Sequence, residues 1–126
     1  MTLDIKPRLI KRQRTKGWRM PVGAIYVGRP GPWGNPWRVD AWIGLTALVA
    51  VSYFSEWLSS GYPRGFARRH QWILEHLPEL RGKDLVCWCG DWTLGDPDPP
   101  ACHGVVIMRL ANAGMACLEQ HGVVER

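Results

Sequence analysis

Two stretches rich in glycine and proline, residues 27–37 and 90–101, divide this chain into short segments. The first, VGRPGPWGNPW, places three glycines, three prolines and two tryptophans around one arginine and one asparagine. Because proline lacks a backbone donor and glycine frees the backbone, neither stretch can continue a helix or a long strand. We therefore expect short elements joined by shaped loops, with no regular structure in the second stretch, GDWTLGDPDPPA.

The segments between these stretches carry strand and helix patterns. Short apolar runs favour strands within residues 7–14, 24–28 and 82–89, and the first two strands are expected to pair with each other. Helical spacing of apolar residues predicts helices over 46–59, 64–80 and 103–122. This order predicts an α/β fold: a single small domain over residues 1–126, with a short sheet of about three strands, helices packed on it and a zinc-stapled loop before the last helix. The basic segment 1–20 is expected to be partly flexible.

The length of 126 residues allows a core that buries roughly two thirds of the unfolded surface, so a disulfide framework is not required. No apolar run approaches the roughly 20 residues of a membrane helix, and the amino terminus is charged where a signal peptide would be apolar. We expect a soluble protein of the cytoplasm, or of the host cell cytoplasm if a phage encodes it.

The net charge of +5 is concentrated near the amino terminus. This asymmetry favours a polyanionic partner, nucleic acid first, because neutralising phosphates drives association. A basic segment can equally serve only to keep a small protein soluble. The candidate nucleic-acid contacts are Lys11, Arg12, Arg14, Lys16 and Arg19.

Three cysteines and one histidine form a candidate metal site. Cys87 and Cys89 would share one face of a strand, while Cys102 and His103 stand where the last helix should begin. Three thiolates and an imidazole suit tetrahedral zinc. The alternatives are reduced thiols that pack or react, a disulfide, or an open site in which His103 leaves one position to water, an aspartate or a ligand.

The first loop has the parts of a nucleotide site. Arg29 can form a bidentate fork to phosphate, Asn35 can donate and accept toward a base edge, and a tryptophan can stack on a ring. The alternative is structural: Arg29 and Asn35 would bond backbone carbonyls and Trp37 would pack in the core. The candidate ligand-binding residues are Gly28, Arg29, Trp33, Gly34, Asn35 and Trp37.

The segments YVGRPGPWGNPW, LRGKDLVCWC and CHGVVIMRLAN together resemble the family catalogued as domain of unknown function 4326, found in bacteriophages and actinobacteria. The resemblance runs from about Pro7 to Asn112 and implies a small phage-type protein. Similar proteins often carry an acidic residue soon after the Cys-His pair, where this chain has Gly104, Val105 and Val106, and this departure weakens a hydrolytic mechanism. The matching positions are Gly28, Arg29, Trp33, Gly34, Asn35, Pro36, Cys87, Cys89, Cys102 and His103.

Three functions follow from these features. The first is a zinc-binding protein that binds nucleic acid or a nucleotide through the basic segment and the first loop. The second is an enzyme that processes a nucleotide or nucleobase at the Cys/His site, although the zinc deaminase signature is absent. The third is a phage protein that binds and modulates a host protein through exposed tryptophans such as Trp42 or Trp92. The general bases open to the enzyme are His103, Asp91, Asp96 and Asp98.

Overall fold

A computed structural model of the chain describes residues 6–29, 31–61 and 66–121, with side chains up to residue 113. Pro30 and the first two residues of the predicted second helix lie outside the described residues. The elements in this part of the chain are β1 (Arg8–Lys11), β2 (Ile25–Tyr26), α1 (Ala47–Ser60), α2 (Ala67–His76), β3 (Leu85–Cys87), β4 (Trp92–Thr93) and α3 (His103–His121). Two 3-10 helices, Ala41–Ile43 and Leu77–Leu80, precede α1 and follow α2.

The described strands form one mixed sheet in the order β2-β3-β1-β4. β3 is parallel to both β1 and β2, whereas β4 is antiparallel to β1. The predicted pairing of β1 with β2 is therefore wrong. All three residues of β3 are buried, and this apolar strand takes the position between them.

The prediction that the stretch 90–101 has no regular structure is wrong, because this stretch contains β4. The Trp92 side chain is buried, and its indole nitrogen donates to the carbonyl of Asp96 at 2.9 Å. Leu94 donates its backbone N–H to Pro7 at 3.0 Å. Backbone pairing and one buried ring hold this loop against β1, and they raise the strand number to four, one more than expected.

The parallel strands set the position of the site. Their carboxyl ends lie at the same edge of the sheet, so the residues that follow β1, β2 and β3 come close together. Arg12 follows β1, residues 27–29 follow β2, and residues 88–89 follow β3. Arg12 donates its backbone N–H to Cys87 at 2.7 Å, and Val27 donates to Val86 at 2.9 Å.

The predicted helices are confirmed with adjusted ends. Thr46 caps α1 by accepting the N–H of Val49, and Gly61 ends α1 with a φ of 80°. The segment predicted as one helix over 64–80 contains α2 and then a 3-10 helix, where Pro78 interrupts the α-helical hydrogen bonds. The third helix starts at His103, as expected.

The core lies between the sheet and the helices. α3 packs on β1, β3 and α1 as well as on the second 3-10 helix. Its first turn approaches β1 closely at Gly104, where a Cβ atom would lie 2.8 Å from a methyl carbon of Leu9. None of the helices in the described part of the chain is long and apolar enough to cross a membrane. The largest fully buried side chains are Trp57, Phe54, Leu9, Ile73, Leu80, Leu85, Ile107 and Met108.

Candidate metal and ligand site

The end of β3 and the start of α3 bring three donor residues together. The ligand atoms of Cys87, Cys102 and His103 all lie within 4.8 Å of one another. These residues are 3%, 1% and 7% exposed, so water is largely excluded from them. Three of the four predicted metal ligands therefore converge in a buried cluster, which could hold a metal ion.

The hydrogen bond of His103 fits a metal ligand. Its Nε2 lies 2.6 Å from the carbonyl oxygen of Val27. Because a carbonyl only accepts, Nε2 carries the proton, and in the neutral ring Nδ1 keeps its lone pair. Burial lowers the pKa of His103, which favours this neutral form. A metal-binding histidine commonly donates its second nitrogen to a backbone carbonyl in this way.

Cys89, the fourth predicted ligand, lies at the edge of the cluster. The strand ends at Cys87 and the chain bends at residues 88–89. The prediction that Cys87 and Cys89 share one face of a strand is therefore wrong. The Cys89 Sγ nevertheless lies 3.9 Å from that of Cys87. A tetrahedral site with zinc–sulfur bonds of about 2.3 Å separates two sulfurs by about 3.8 Å. Cys89 is exposed, and the three described cysteines are free thiols rather than a disulfide.

The three thiols are electrostatically linked. Hydrogen bonds from Cys102 and then from Cys89 lower the pKa of Cys87. The same bond raises the pKa of Cys102, and burial adds to that effect. For Cys89, the hydrogen bond with Cys102 lowers the pKa, but the bond to Cys87 and burial outweigh it and raise the pKa above its ordinary value. Of the three thiols, Cys87 is therefore the one whose pKa is lowered, which favours its thiolate form over that of its neighbours.

A cavity of about 170 Å³ opens over the cluster. Its wall contains all four predicted ligands as well as residues from the first loop and from α1. Arg29 and Trp88 face the same space, so a cation and an aromatic ring adjoin the sulfur atoms. No carboxylate is among the described residues that line it, and Asp91 instead accepts the backbone N–H of Lys11 at 2.8 Å.

Hydrogen bonds within the first loop occupy several predicted ligand-binding residues. The Asn35 amide is buried, donates to Ala50 O at 3.1 Å and accepts from Trp37 N at 2.9 Å. The Arg29 Nη1 donates to the carbonyl oxygens of Asn35 at 2.5 Å and Trp37 at 3.3 Å. These contacts match the structural alternative for both residues, while Arg29 keeps its remaining N–H donors for a ligand.

The tryptophans of this loop pack against other aromatic rings. Trp33 is buried, with its ring centroid 5.0 Å from that of Trp72. Trp37 is half-buried and lies 5.7 Å from Trp57. Trp33 therefore offers no ring face to a ligand in this conformation, whereas Trp37 still lines the cavity over the cluster.

The loop glycines permit close approach. A Cβ atom on Gly28 would lie 2.6 Å from the Tyr26 hydroxyl, and one on Gly34 would lie 2.8 Å from the Arg29 Cγ. Neither glycine has a positive φ. These two positions therefore use the missing Cβ atom of glycine for close approach rather than a left-handed backbone.

The basic segment meets an aromatic pair at the same edge of the sheet. The Arg12 guanidinium lies 4.8 Å from the Tyr26 ring centroid and 5.3 Å from that of Trp88, and Arg14 lies 4.8 Å from Trp88. The Trp88 indole N–H donates to the Tyr26 hydroxyl at 3.0 Å, and that hydroxyl donates to Arg29 O at 2.5 Å. We call Arg12, Arg14, Tyr26 and Trp88 the cation–aromatic surface. The other predicted nucleic-acid contacts, Lys11, Lys16 and Arg19, are exposed.

Sequence reasoning missed the roles of Tyr26 and Trp88. The signal for Trp88 was the Cys-Trp-Cys triplet, which places a large aromatic residue directly between two candidate metal ligands. Of the two tryptophans considered as anchors for a host protein, Trp42 is 96% exposed and Trp92 is buried.

A family profile described as domain of unknown function (DUF4326) matches residues 10–113, which is most of the chain. The chain belongs to the DUF4326 family. The match spans both the first loop and the Cys/His cluster, as the resemblance implied. Gly104, which follows the Cys-His pair of this DUF4326 member, is buried against Leu9, so a larger acidic side chain has no room there.

A viral protein is similar to this DUF4326 chain. "Uncharacterized protein R718" of Acanthamoeba polyphaga mimivirus is 25% identical over 114 residues, which cover 82% of this chain and 78% of the viral protein. This relative agrees with a viral type of family. No solved structure matches the chain.

Proposed function

We propose that this protein binds zinc and uses the metal-supported edge of its sheet to bind nucleic acid or a nucleotide. One observation carries the proposal. Trp88, which is 36% exposed, stands between Cys87 and Cys89 in the chain and beneath two guanidinium groups of the basic segment. A metal held by the cysteines would therefore fix the ring that the cations surround.

The donor set supports zinc as the metal. Thiolate sulfur and neutral imidazole nitrogen are ligands that zinc prefers, and hard cations such as magnesium take oxygen instead. Cys87, Cys102 and His103 would hold the ion, with Cys89 able to complete a tetrahedral set. Bound there, zinc supplies a covalent-like link between the end of β3 and the start of α3.

The cation–aromatic surface supports a nucleic acid or a nucleotide as the ligand. Guanidinium groups pair with phosphates, and an exposed aromatic ring can stack on a base of any sequence. Stacking on one base contributes about 1–3 kcal/mol in proteins that bind single strands. Arg12 and Arg14 supply the charges, and Trp88 supplies the ring.

The experiment measures the affinity of zinc-loaded protein for a fluorescent single-stranded oligonucleotide by anisotropy. Trp88→Leu should weaken binding by about tenfold or more, because the stacking energy is lost. Trp42→Leu is the matched control, since Trp42 is exposed but lies outside the surface and should leave the affinity unchanged. Affinity should also fall steeply as salt rises. Equal weakening by both variants, or binding that ignores salt, would count against the proposal.

An enzyme acting on a nucleotide or nucleobase is the second candidate. The observation that favours it is the exposure of Cys89, which would let a three-residue set keep a fourth position for an exchangeable ligand. Cobalt-substituted protein distinguishes the two cases, because added azide changes the visible spectrum of an open site and leaves a closed site unaltered. A spectrum that does not respond to azide would argue against this enzyme.

A further inference from the structure

A second, larger depression lies beside the cavity over the cluster. It has a volume of about 490 Å³ and is bounded by the first loop and the start of α2. Three of its lining residues are the arginines Arg29, Arg38 and Arg69, and none of the described residues in its wall is acidic. Arg38 and Arg69 belong to none of the motifs discussed above.

These three charges have no acidic partner in the described part of the chain. The ion pair found there joins Arg8 to Asp84. Arg69 donates its Nη1 to the carbonyl of Gly34 at 3.1 Å, and Arg29 donates its Nη1 within the loop. Arg38 makes no hydrogen bond or ion pair with another described residue. Since a guanidinium carries five N–H donors, most donors of these three arginines have no partner among the described residues.

The convergence of three unpaired cations favours an anion with more than one negative charge. The three positive charges in this depression repel one another, and an anion bound between them offsets that repulsion because it attracts all three. Guanidinium forks match phosphate oxygens in pairs. The side chains of Arg29 and Arg69 are also held by hydrogen bonds to backbone carbonyls, so these two side chains lose little conformational entropy when a ligand binds.

The size of the depression points to more than a bare phosphate ion. Pockets of about 300–1,000 Å³ hold ligands of the size of a nucleotide. Phe66, which is 41% exposed, provides an aromatic wall next to the arginines. Arg29 lines both spaces, so a strand that enters the depression can continue past the cluster toward Trp88.

We infer that the arginine depression binds a terminal phosphate group of a nucleotide or of a nucleic-acid strand. The choice of a nucleotide ligand rests on the proposed function, whereas the anion site rests on Arg29, Arg38 and Arg69 alone. The shared chemistry is a phosphomonoester or polyphosphate on a nucleoside. Its two sources are a free nucleotide and the phosphorylated end of a strand.

The test uses the zinc-loaded full chain and two oligonucleotides that differ only in a 5′-phosphate or a 5′-hydroxyl. The phosphorylated strand should bind about tenfold more tightly, and inorganic pyrophosphate should compete for that advantage. Arg38→Gln should abolish the preference because it removes one of the three charges, and it should leave the fold intact because Arg38 makes no hydrogen bond or ion pair with another described residue. Arg68→Gln, its control in charge, should keep the preference because Arg68 is exposed on α2 but does not line the depression.

Each outcome decides between the two proposals. Loss of the phosphate preference in Arg38→Gln with the hydroxyl strand still bound supports both. Binding of pyrophosphate or ATP that Arg38→Gln abolishes, without binding of either strand, supports the arginine site with a free nucleotide as its source and counts against nucleic acid. Equal affinity for both strands with no binding of pyrophosphate or ATP would overturn the inference and leave the Trp88 surface to its own test.

Discussion

At the scale of single residues, Asn35 shows how one side chain can join a loop to a helix. Its amide donates to Ala50 O in α1 and accepts from Trp37 N in the loop. Only a side chain with both a donor and an acceptor can satisfy these two groups at once. Asn35 is also 5% exposed, so water cannot readily replace it.

Replacing Asn35 with alanine is therefore expected to destabilise the protein. The Trp37 N–H loses its partner, whereas the Ala50 carbonyl lies within α1 and keeps its helical hydrogen bond. The free energy of unfolding should therefore fall by about 1–3 kcal/mol. Urea denaturation of the zinc-loaded protein measures this loss. Asn112→Ala serves as the comparison, because Asn112 makes two similar bonds but is only half-buried, and water can take its place. Equal losses for the two variants would contradict the role of burial.

The sequence allows some residues of the site to be predicted and leaves others ambiguous. Cys87, Cys102 and His103 could be found because their donor types suit few purposes other than a metal and because they adjoin a strand end and a helix start. Asn35 and Trp33 could not be assigned, since an amide bonds backbone or base equally well and an indole packs in a core or against a ligand. The contacts of Ala50 and Trp72, distant in the chain, settle which use applies.

At the scale of elements, α1 supplies the rear wall of the cavity over the cluster through Ala47, Ala50 and Val51. The helix begins beside the site, and its first turn depends on Thr46. The Thr46 hydroxyl oxygen accepts the N–H of Val49 at 3.2 Å. The cap therefore keeps the wall of the cavity in helical form.

Loss of this cap should have a measurable cost. Thr46→Ala is expected to lower the free energy of unfolding by about 1 kcal/mol, because a helix N–H loses its partner. Ser52→Ala in the same helix is the matched control, and it should cost nothing since Ser52 is exposed and alanine favours the helix. Thermal or urea unfolding of the two variants provides the measurement. A Thr46→Ala protein as stable as the control would show that the cap is dispensable.

Helix boundaries follow from local signals, whereas strand order does not. Thr46 marks the start of α1 through its capping side chain, and Gly61 marks the end because that position has a positive φ. By contrast, β4 has two residues, and its existence depends on the burial of Trp92 and on pairing with β1. The insertion of β3 between β1 and β2 likewise reflects burial of a strand distant in sequence.

At the scale of the whole molecule, the Cys/His cluster links two elements that are far apart in the chain. Cys87 ends β3, one of the two inner strands, and Cys102 and His103 lie at the start of α3, which packs on the sheet. A metal ion that binds these residues in the folded state and not in the unfolded chain stabilises the fold by mass action. The cation–aromatic surface lies at the same edge, so stability and ligand binding should depend on the same ion.

Removal of zinc should consequently lower the melting temperature. At free zinc a thousandfold above its Kd, binding to the folded state contributes about 4 kcal/mol, which corresponds to a shift on the order of 10 °C for a domain of this size. Scanning fluorimetry of protein with zinc and after chelation, with zinc content measured in parallel, tests this. Cys87→Ser is the control: it should melt at one temperature in both conditions, because the ligand at the end of β3 is missing. Should the zinc-loaded wild type melt at the same temperature as the chelated protein, the cluster would be three packed thiols and an imidazole rather than a metal site that supports the fold.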